Sequence, residues 1–141
     1  MNPKPTQPEP FKPSTDHARP TRTVLLRHTE ADGGSHLDWM IDPGGDKERR
    51  LVTFRVRDRI DLQGCQGFDA ERIGDHRAVY LEYEGELSGG RGAVARVAAG
   101  EIRAFSDAAA LNAVANFGSG WRKFSGRPVE GARWLFSVLP C

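Results

Sequence analysis

The sequence predicts an all-β domain: a small closed or partly open β-barrel of about seven to eight short strands, or a sandwich of the same strands, with at most one or two short helices. Three observations point there. Apolar and polar residues alternate with a period of two along several short runs, as a strand with one covered face requires. Glycine is abundant, 16 of 141 residues, which favours tight turns over long helices. Three tryptophans, two tyrosines and seven phenylalanines supply bulk for a single core.

The elements follow in order. Thr23–Arg27 is a short β-type run, and Asp32-Gly33-Gly34 is a turn signal. Ser35–Ile41 alternates, with Leu37, Trp39 and Ile41 on one face and His36, Asp38 and Met40 on the other. A loop from Asp42 to Asp46 leads to Leu51–Arg57, where Val52, Phe54 and Val56 oppose Thr53, Arg55 and Arg57. His76–Glu84 reads as a further strand, with Val79, Leu81 and Tyr83 opposite His76, Ala78, Tyr80, Glu82 and Glu84. Gly92–Ala98 and Glu101–Phe105 flank Ala99-Gly100 as a hairpin. Asp107–Asn116 is the one candidate helix, capped by Asp107 and rich in alanine, with a strand as its alternative. Trp121–Phe124 and Arg133–Val138 are late strands around a turn region at Gly126–Gly131. Trp39, Phe54, Leu81, Val94, Trp134 and Phe136 are the expected core.

Composition narrows the function. Lys and Arg total 20 against 19 for Asp and Glu, so contact with nucleic acid would rest on a local patch rather than on overall charge. No run approaches the ~18 apolar residues of a membrane span, and no membrane partner is expected. Cys65 and Cys141 are the two cysteines, too few for a disulfide framework or a zinc motif. An intracellular, cytoplasmic setting and a monomer are expected. Six of the nine prolines lie between Met1 and Pro20. Residues 1–22 therefore read as a disordered Pro-rich tail without a secretory signal, and residues 23–141 as the folded domain.

The chemistry concentrates in three of the four histidines. His36 and Asp38 are two apart on a strand and project from one face. His28 ends the preceding run, and antiparallel pairing of the two runs brings it beside His36. Two imidazoles and a carboxylate suit a borderline divalent ion such as Mn²⁺ or Zn²⁺. The same spacing also fits an ordinary charged edge. His76 and Tyr80 share the polar face of their expected strand with Glu82 and Glu84. The loop Gly85–Gly92 has glycines that permit close backbone approach to a ligand, and Arg91 carries a planar phosphate-binding fork. Arg55, Arg57 and Arg59 alternate as a phosphate stripe or a solubilising outer strand.

Taken in order, His28, the His36-Leu37-Asp38 triplet, Asp75-His76 leading to Tyr80, Tyr83-Glu84-Gly85 and the glycine turn Gly89–Val94 resemble the 3′-phosphoesterase domain of bacterial DNA ligase D. The run from Ser125 to Gly131, followed by Trp134 and Phe136, resembles that family's closing hairpin. The resemblance spans Thr23 to Leu139, and the chain looks like a stand-alone version of the domain. It implies a β-barrel with a polar crescent on one side. It implies a metal-dependent DNA repair enzyme that removes a 3′-phosphate or a terminal ribonucleoside from DNA or primer-template 3′ ends. The implied cofactor is Mn²⁺, with Zn²⁺ or Co²⁺ as alternatives. A separate DNA ligase or polymerase is the implied protein partner. By resemblance His28, His36 and Asp38 are the metal ligands, and His76 and Tyr80 are the catalytic pair beside the scissile phosphate. Two departures stand out. Seven residues, Thr29 to Ser35, separate the first two histidines where the family has five, and Met40 occupies the place of a phosphate-gripping arginine. Arg91 or Arg27 is the cation expected to take that place. The alternative is a barrel without turnover that binds nucleic-acid ends or a repair partner.

Overall fold

Short alternating strands leave two unpaired edges unless the sheet closes on itself. In the computed structural model, which describes residues 20–141, the strands are β1 (Thr21–Thr29), β2 (Ser35–Ile41), β3 (Arg50–Val56), β4 (Gly67–Arg77), β5 (Gly85–Glu86), β6 (Ala93–Asp107), β7 (Leu111–Asn116), β8 (Trp121–Glu130) and β9 (Arg133–Pro140). All but β5 form a closed antiparallel barrel of eight strands in the order β1-β2-β3-β4-β9-β8-β7-β6, closed by β6 on β1. β5 pairs with β6 alone and lies outside the ring. Residues 1–19 of the expected tail, His17 among them, lie outside the described residues, while Thr21 and Arg22 open β1. Among the described residues no helix is long and apolar enough to cross a membrane.

Two apolar clusters form, one on each side of the β1–β3 wall. The barrel interior holds Leu25, Trp39, Phe54, Phe68, Phe124, Trp134 and Phe136 with the alternate residues around them. Trp39 is fully buried, and its ring lies 5.3 Å from Phe124 and 5.5 Å from Phe136. Its Nε1 donates to Thr23 Oγ1 at 2.8 Å, and that hydroxyl donates onward to the Met40 carbonyl at 2.7 Å. The buried polar pair is thereby satisfied. The second cluster lies on the outer wall: Val24, Leu26, Met40, Leu51, Tyr80, Leu81 and Val94. The chain between β4 and β6 lies over this wall and covers it. All six expected core residues are buried, with Leu81 and Val94 in the outer cluster.

Several local expectations are corrected. His76–Glu84 is not a strand: β4 ends at Arg77, and Ala78–Leu81 forms a single 3-10 turn. Neighbouring residues Tyr80 and Leu81 are both buried, while Val79 and Tyr83 are 50% and 37% exposed. A strand covered on one face cannot bury two neighbours, whereas a turn can. The expected hairpin at Ala99-Gly100 is absent because β6 runs unbroken from Ala93 to Asp107. Gly100 serves close approach instead, since a Cβ there would meet the Asn116 carbonyl oxygen at 2.3 Å. The candidate helix Asp107–Asn116 is β7, in which Leu111, Ala113 and Ala115 are buried and alternate with Asn112, Val114 and Asn116. Burial on a period of two overrides the helix propensity of alanine. Asp107, the expected helix cap, accepts both ends of the Arg72 guanidinium at 2.9 and 2.7 Å. Most of the Gly126–Gly131 turn region belongs to β8, with the turn itself at Gly131–Ala132. The arginine stripe is broken as well. β3 ends at Val56, and Arg59 lies in the following loop bound to Asp61 at 2.8 and 2.7 Å.

The β2–β3 connection is held by a buried carboxylate. Asp42 accepts from Gly44 N–H at 2.9 Å and from Arg49 at 3.0 and 2.7 Å. Burial pushes this carboxyl up. The Arg49 and Gly44 hydrogen bonds, with the charges of Arg49 and Arg22, pull it down further, so it sits below the usual carboxylate range. A depressed folded pKa gives stability that is present above the unfolded value of about 3.9 and lost as pH falls through the folded value. Asp42→Asn is therefore expected to cost about 1–3 kcal/mol at neutral pH, with the deficit shrinking below about pH 4. Urea denaturation of both proteins at pH 7 and pH 3 measures this. A deficit independent of pH would show that the carboxylate charge is not what matters.

Candidate metal centre

Pairing of β1 with β2 sets His28 directly opposite His36, and β2 with β3 sets Asp38 opposite Arg55. His28 follows Val24 and Leu26 on the outer side of β1. His36 and Asp38 precede Met40 on the outer side of β2. All four polar groups therefore stand on the outer wall, at the edge of its apolar cluster. The His28 and His36 rings meet edge to face, with centroids 4.9 Å apart. His36 Nε2 is 3.4 Å from Asp38 Oδ2, and Arg55 Nε is 3.7 Å from Asp38 Oδ1. On the solvent side, His36 Nδ1 is 3.4 Å from Glu30 Oε2.

These separations exceed ordinary hydrogen bonds, and His36 Nε2, Asp38 Oδ1 and Arg55 Nε are buried atoms without a hydrogen-bond partner. Unpaired buried polar atoms cost free energy, which a water or an ion bound between them would recover. Two donors each about 2.1 Å from one ion, at an angle of about 100°, lie about 3.2 Å apart. The His36–Asp38 separation fits that shared contact. Burial pushes the Asp38 carboxyl up, although the charges of His36, Arg55, His76 and His28 all pull it down. The residues thus fit a metal, and a donor set of imidazoles and carboxylate suits Mn²⁺, Zn²⁺ or Co²⁺. Among the described residues, the donor atoms that lie within 4.8 Å of one another are those of His28, Glu30 and His36; Asp38, the expected third ligand, is not in that group, and Glu30 is a candidate donor that sequence reading missed. It lies in the turn after β1's last residue, where strand alternation gives no signal.

The remaining expected residues fall around this group. His76, at the end of β4, bonds through Nδ1 to the Gly74 carbonyl at 2.9 Å, and its ring is 5.7 Å from Tyr80. A carbonyl only accepts, so Nδ1 carries the proton and Nε2 of the neutral ring is free. The two residues meet through a turn rather than along a strand. The Arg91 guanidinium is turned to Ser88, donating to its carbonyl at 2.8 Å and to its hydroxyl at 3.1 Å. What Arg91 brings to the site is its carbonyl, which accepts from His28 Nε2 at 2.8 Å and leaves Nδ1 free in the neutral ring. Arg27 is exposed on the Leu25 side of β1, away from His28. Arg55 is the guanidinium beside Asp38. Its signal was register: counting outward from the β2–β3 loop pairs Ile41 with Val52 and hence Asp38 with Arg55.

Gly92 brings the glycine loop against β1. Its φ is +94°, and a Cβ there would lie 2.0 Å from the Thr29 carbonyl oxygen. Gly89 also has positive φ, +74°, but its Cβ would meet nothing within 4 Å. Gly92→Ala is expected to displace the loop, break the His28–Arg91 contact and destabilise the fold by more than about 1 kcal/mol beyond Gly89→Ala. Thermal denaturation compares the two, and equal losses would mean that backbone strain alone is at work.

No protein-family model matches the chain, and no curated protein does. Fold and site together define a closed eight-stranded antiparallel β-barrel carrying a candidate metal centre on its outer wall.

Proposed function

We propose that this chain is a metal-dependent 3′-phosphoesterase acting in DNA repair on DNA or primer-template 3′ ends, removing a 3′-phosphate or a terminal ribonucleoside to leave a 3′-hydroxyl. One observation carries the reading. His36 Nε2 is buried without a hydrogen bond 3.4 Å from Asp38 Oδ2, and Arg55 Nε lies 3.7 Å from the other oxygen of that carboxylate, again without a hydrogen bond. A cation site next to a second, fixed positive charge is what a phosphoester needs. The ordered resemblance of His28, His36, Asp38, His76 and Tyr80 to the DNA ligase D phosphoesterase supports the choice of substrate.

A divalent ion held by His28, His36 and Asp38 would neutralise a phosphate oxygen and lower the pKa of a bound water. Arg55 holds a second non-bridging oxygen, supplying from β3 the cation that Met40 does not supply from β2. Met40 instead packs in the outer apolar cluster with Tyr80. His76, with its Nδ1 proton anchored on Gly74, presents Nε2 to the substrate. Protonated there, it holds a phosphate oxygen or delivers the proton to the leaving oxygen. Tyr80, largely buried, backs the His76 ring and offers its hydroxyl to the phosphate.

The test is turnover. Purified protein with Mn²⁺ is incubated with two primer-templates, one ending in a 3′-phosphate and one in a single ribonucleotide. Conversion to 3′-hydroxyl DNA is expected, with His36→Ala slower by at least about 100-fold. Wild type no faster than His36→Ala would end the catalytic reading. Salt-sensitive DNA binding indifferent to Asp38→Ala, without turnover, would assign the barrel to end binding instead.

A further inference from the structure

We infer that the outer face of β7, β8 and β9 is a docking surface for single-stranded DNA, on a different wall from the candidate metal centre. The period of two turns Leu111, Ala113, Ala115, Phe124, Phe136 and Val138 into the barrel, and the alternate residues form rows outside. Register sets Val114 and Leu139 on either side of Lys123, Asn112 and Ser137 on either side of Ser125, and Leu135 beside Arg127. The three strands hold one acidic residue, Glu130, at the last position of β8. Lys123 and Arg127 are exposed, about 13 Å apart along that strand. Among the described residues neither forms an ion pair. At the end of their row Arg103 of β6 sits 4.5 Å over the half-buried Trp121 ring, a cation and an aromatic fixed together. Beside Arg127 a hollow of about 740 Å³ opens over Asn112, Ser125, Leu135 and Ser137. Ser125 Oγ donates to Asn112 Oδ1 at 2.7 Å, so the Asn112 amide keeps its hydrogens for a base edge. Asp58 and Asp69 line the β4 side of the hollow, where Asp69 is paired with Arg133 at 2.9 Å. The track free of acids therefore runs along β8. Cations alone would suit any polyanion, and the apolar side chains among them select a single strand. Leu139 is 60%, Val129 44% and Leu135 38% exposed. A duplex stacks its base faces on each other and has only phosphates to set against this wall, whereas an unstacked strand offers phosphates and base faces together. The choice of DNA over RNA rests on the function proposed above.

The test is fluorescence anisotropy of a labelled oligothymidylate and an oligouridylate of equal length, titrated with the full chain in EDTA, where no turnover is read. Arg103, Lys123 and Arg127 each neutralising one phosphate would give a log–log salt slope of about −2, or about a 20-fold loss of affinity from 50 to 200 mM salt. The double variant Lys123→Ala/Arg127→Ala is expected to bind more weakly at low salt and to lose only about 3-fold over the same range. Lys47→Ala, which removes an exposed cation of the β2–β3 connection, is expected to keep the wild-type salt dependence. A double variant that keeps the wild-type salt dependence would overturn the inference. Oligouridylate binding more tightly than oligothymidylate would overturn the choice of DNA. Sedimentation velocity addresses the rival occupant: a dimer that Leu135→Asp dissociates would give this face to a second copy of the chain and overturn the inference as well. Binding that behaves as expected without turnover on the primer-templates would end the phosphoesterase reading and still support this surface.

Discussion

Asp38→Asn is expected to abolish turnover and metal uptake while leaving the metal-free protein at least as stable as wild type. The carboxylate is the one anionic donor on the buried side of the site, and asparagine keeps its shape but not its charge. Loss of Mn²⁺ affinity should exceed the roughly 10–100-fold that an outer partner of a ligand commands. The stability half follows from the raised Asp38 carboxyl, whose burial outweighs the cations around it. An acid whose folded pKa lies above its unfolded value holds its proton more tightly when folded. Stability therefore falls as pH rises from the unfolded value, about 3.9, through the folded one. Once ionised, the group opposes folding, and asparagine has no charge to desolvate. Mn²⁺ should accordingly raise the melting temperature of wild type by mass action and leave that of Asp38→Asn unchanged. A metal-free Asp38→Asn protein that melts well below wild type would mean the carboxylate is structural, and the site reading would lose its main support.

Trp39→Ala is expected to cause the largest loss of stability of any single substitution discussed. Its ring is fully buried and lies within 6.0 Å of Phe54, Phe68, Phe124 and Phe136. These residues come from β3, β4, β8 and β9, so one indole ties together strands on opposite sides of the barrel. Truncation leaves a cavity that aromatic neighbours fill poorly and costs about 3–5 kcal/mol. That is a large share of the ~5–15 kcal/mol that holds a domain folded. Trp39→Phe keeps most of the volume and loses the hydrogen bond to Thr23, whose hydroxyl still donates to Met40. It should cost less. Urea denaturation compares both with Leu139→Ala, a change at a side chain 60% exposed. A midpoint for Trp39→Ala equal to that of Leu139→Ala would contradict this view of the core. Because Asp38 and Met40 flank Trp39 on β2, the loss should also loosen the candidate metal centre.

The alternation from His36 to Ile41 was legible because each residue there obeys the period of two. Leu37, Trp39 and Ile41 line the interior, and His36, Asp38 and Met40 stand outside. From that pattern and the short turn before it, the meeting of His28 with His36 followed. The Asp107–Asn116 segment was harder, because alanine suits a helix locally and its burial in β7 is decided by Leu111 and the neighbouring strands. β6 hid its continuity in the same way. Gly100 looks like a turn residue, yet the glycine there serves the approach of Asn116 from β7.

The sequence by itself determined the β class, four of the interior aromatics (Trp39, Phe54, Trp134 and Phe136, but not Phe68 or Phe124) and the common face of His36 and Asp38, since these depend on the period of one strand and on side-chain chemistry. Only the tertiary structure decided that Arg55 rather than Arg91 or Arg27 stands beside Asp38, that Glu30 attends His36, and that Tyr80 reaches His76 through a turn. Those relations depend on register between strands and on how a connecting segment lies over the barrel wall. Both are set by closure of the whole sheet, so no single run of residues carries them.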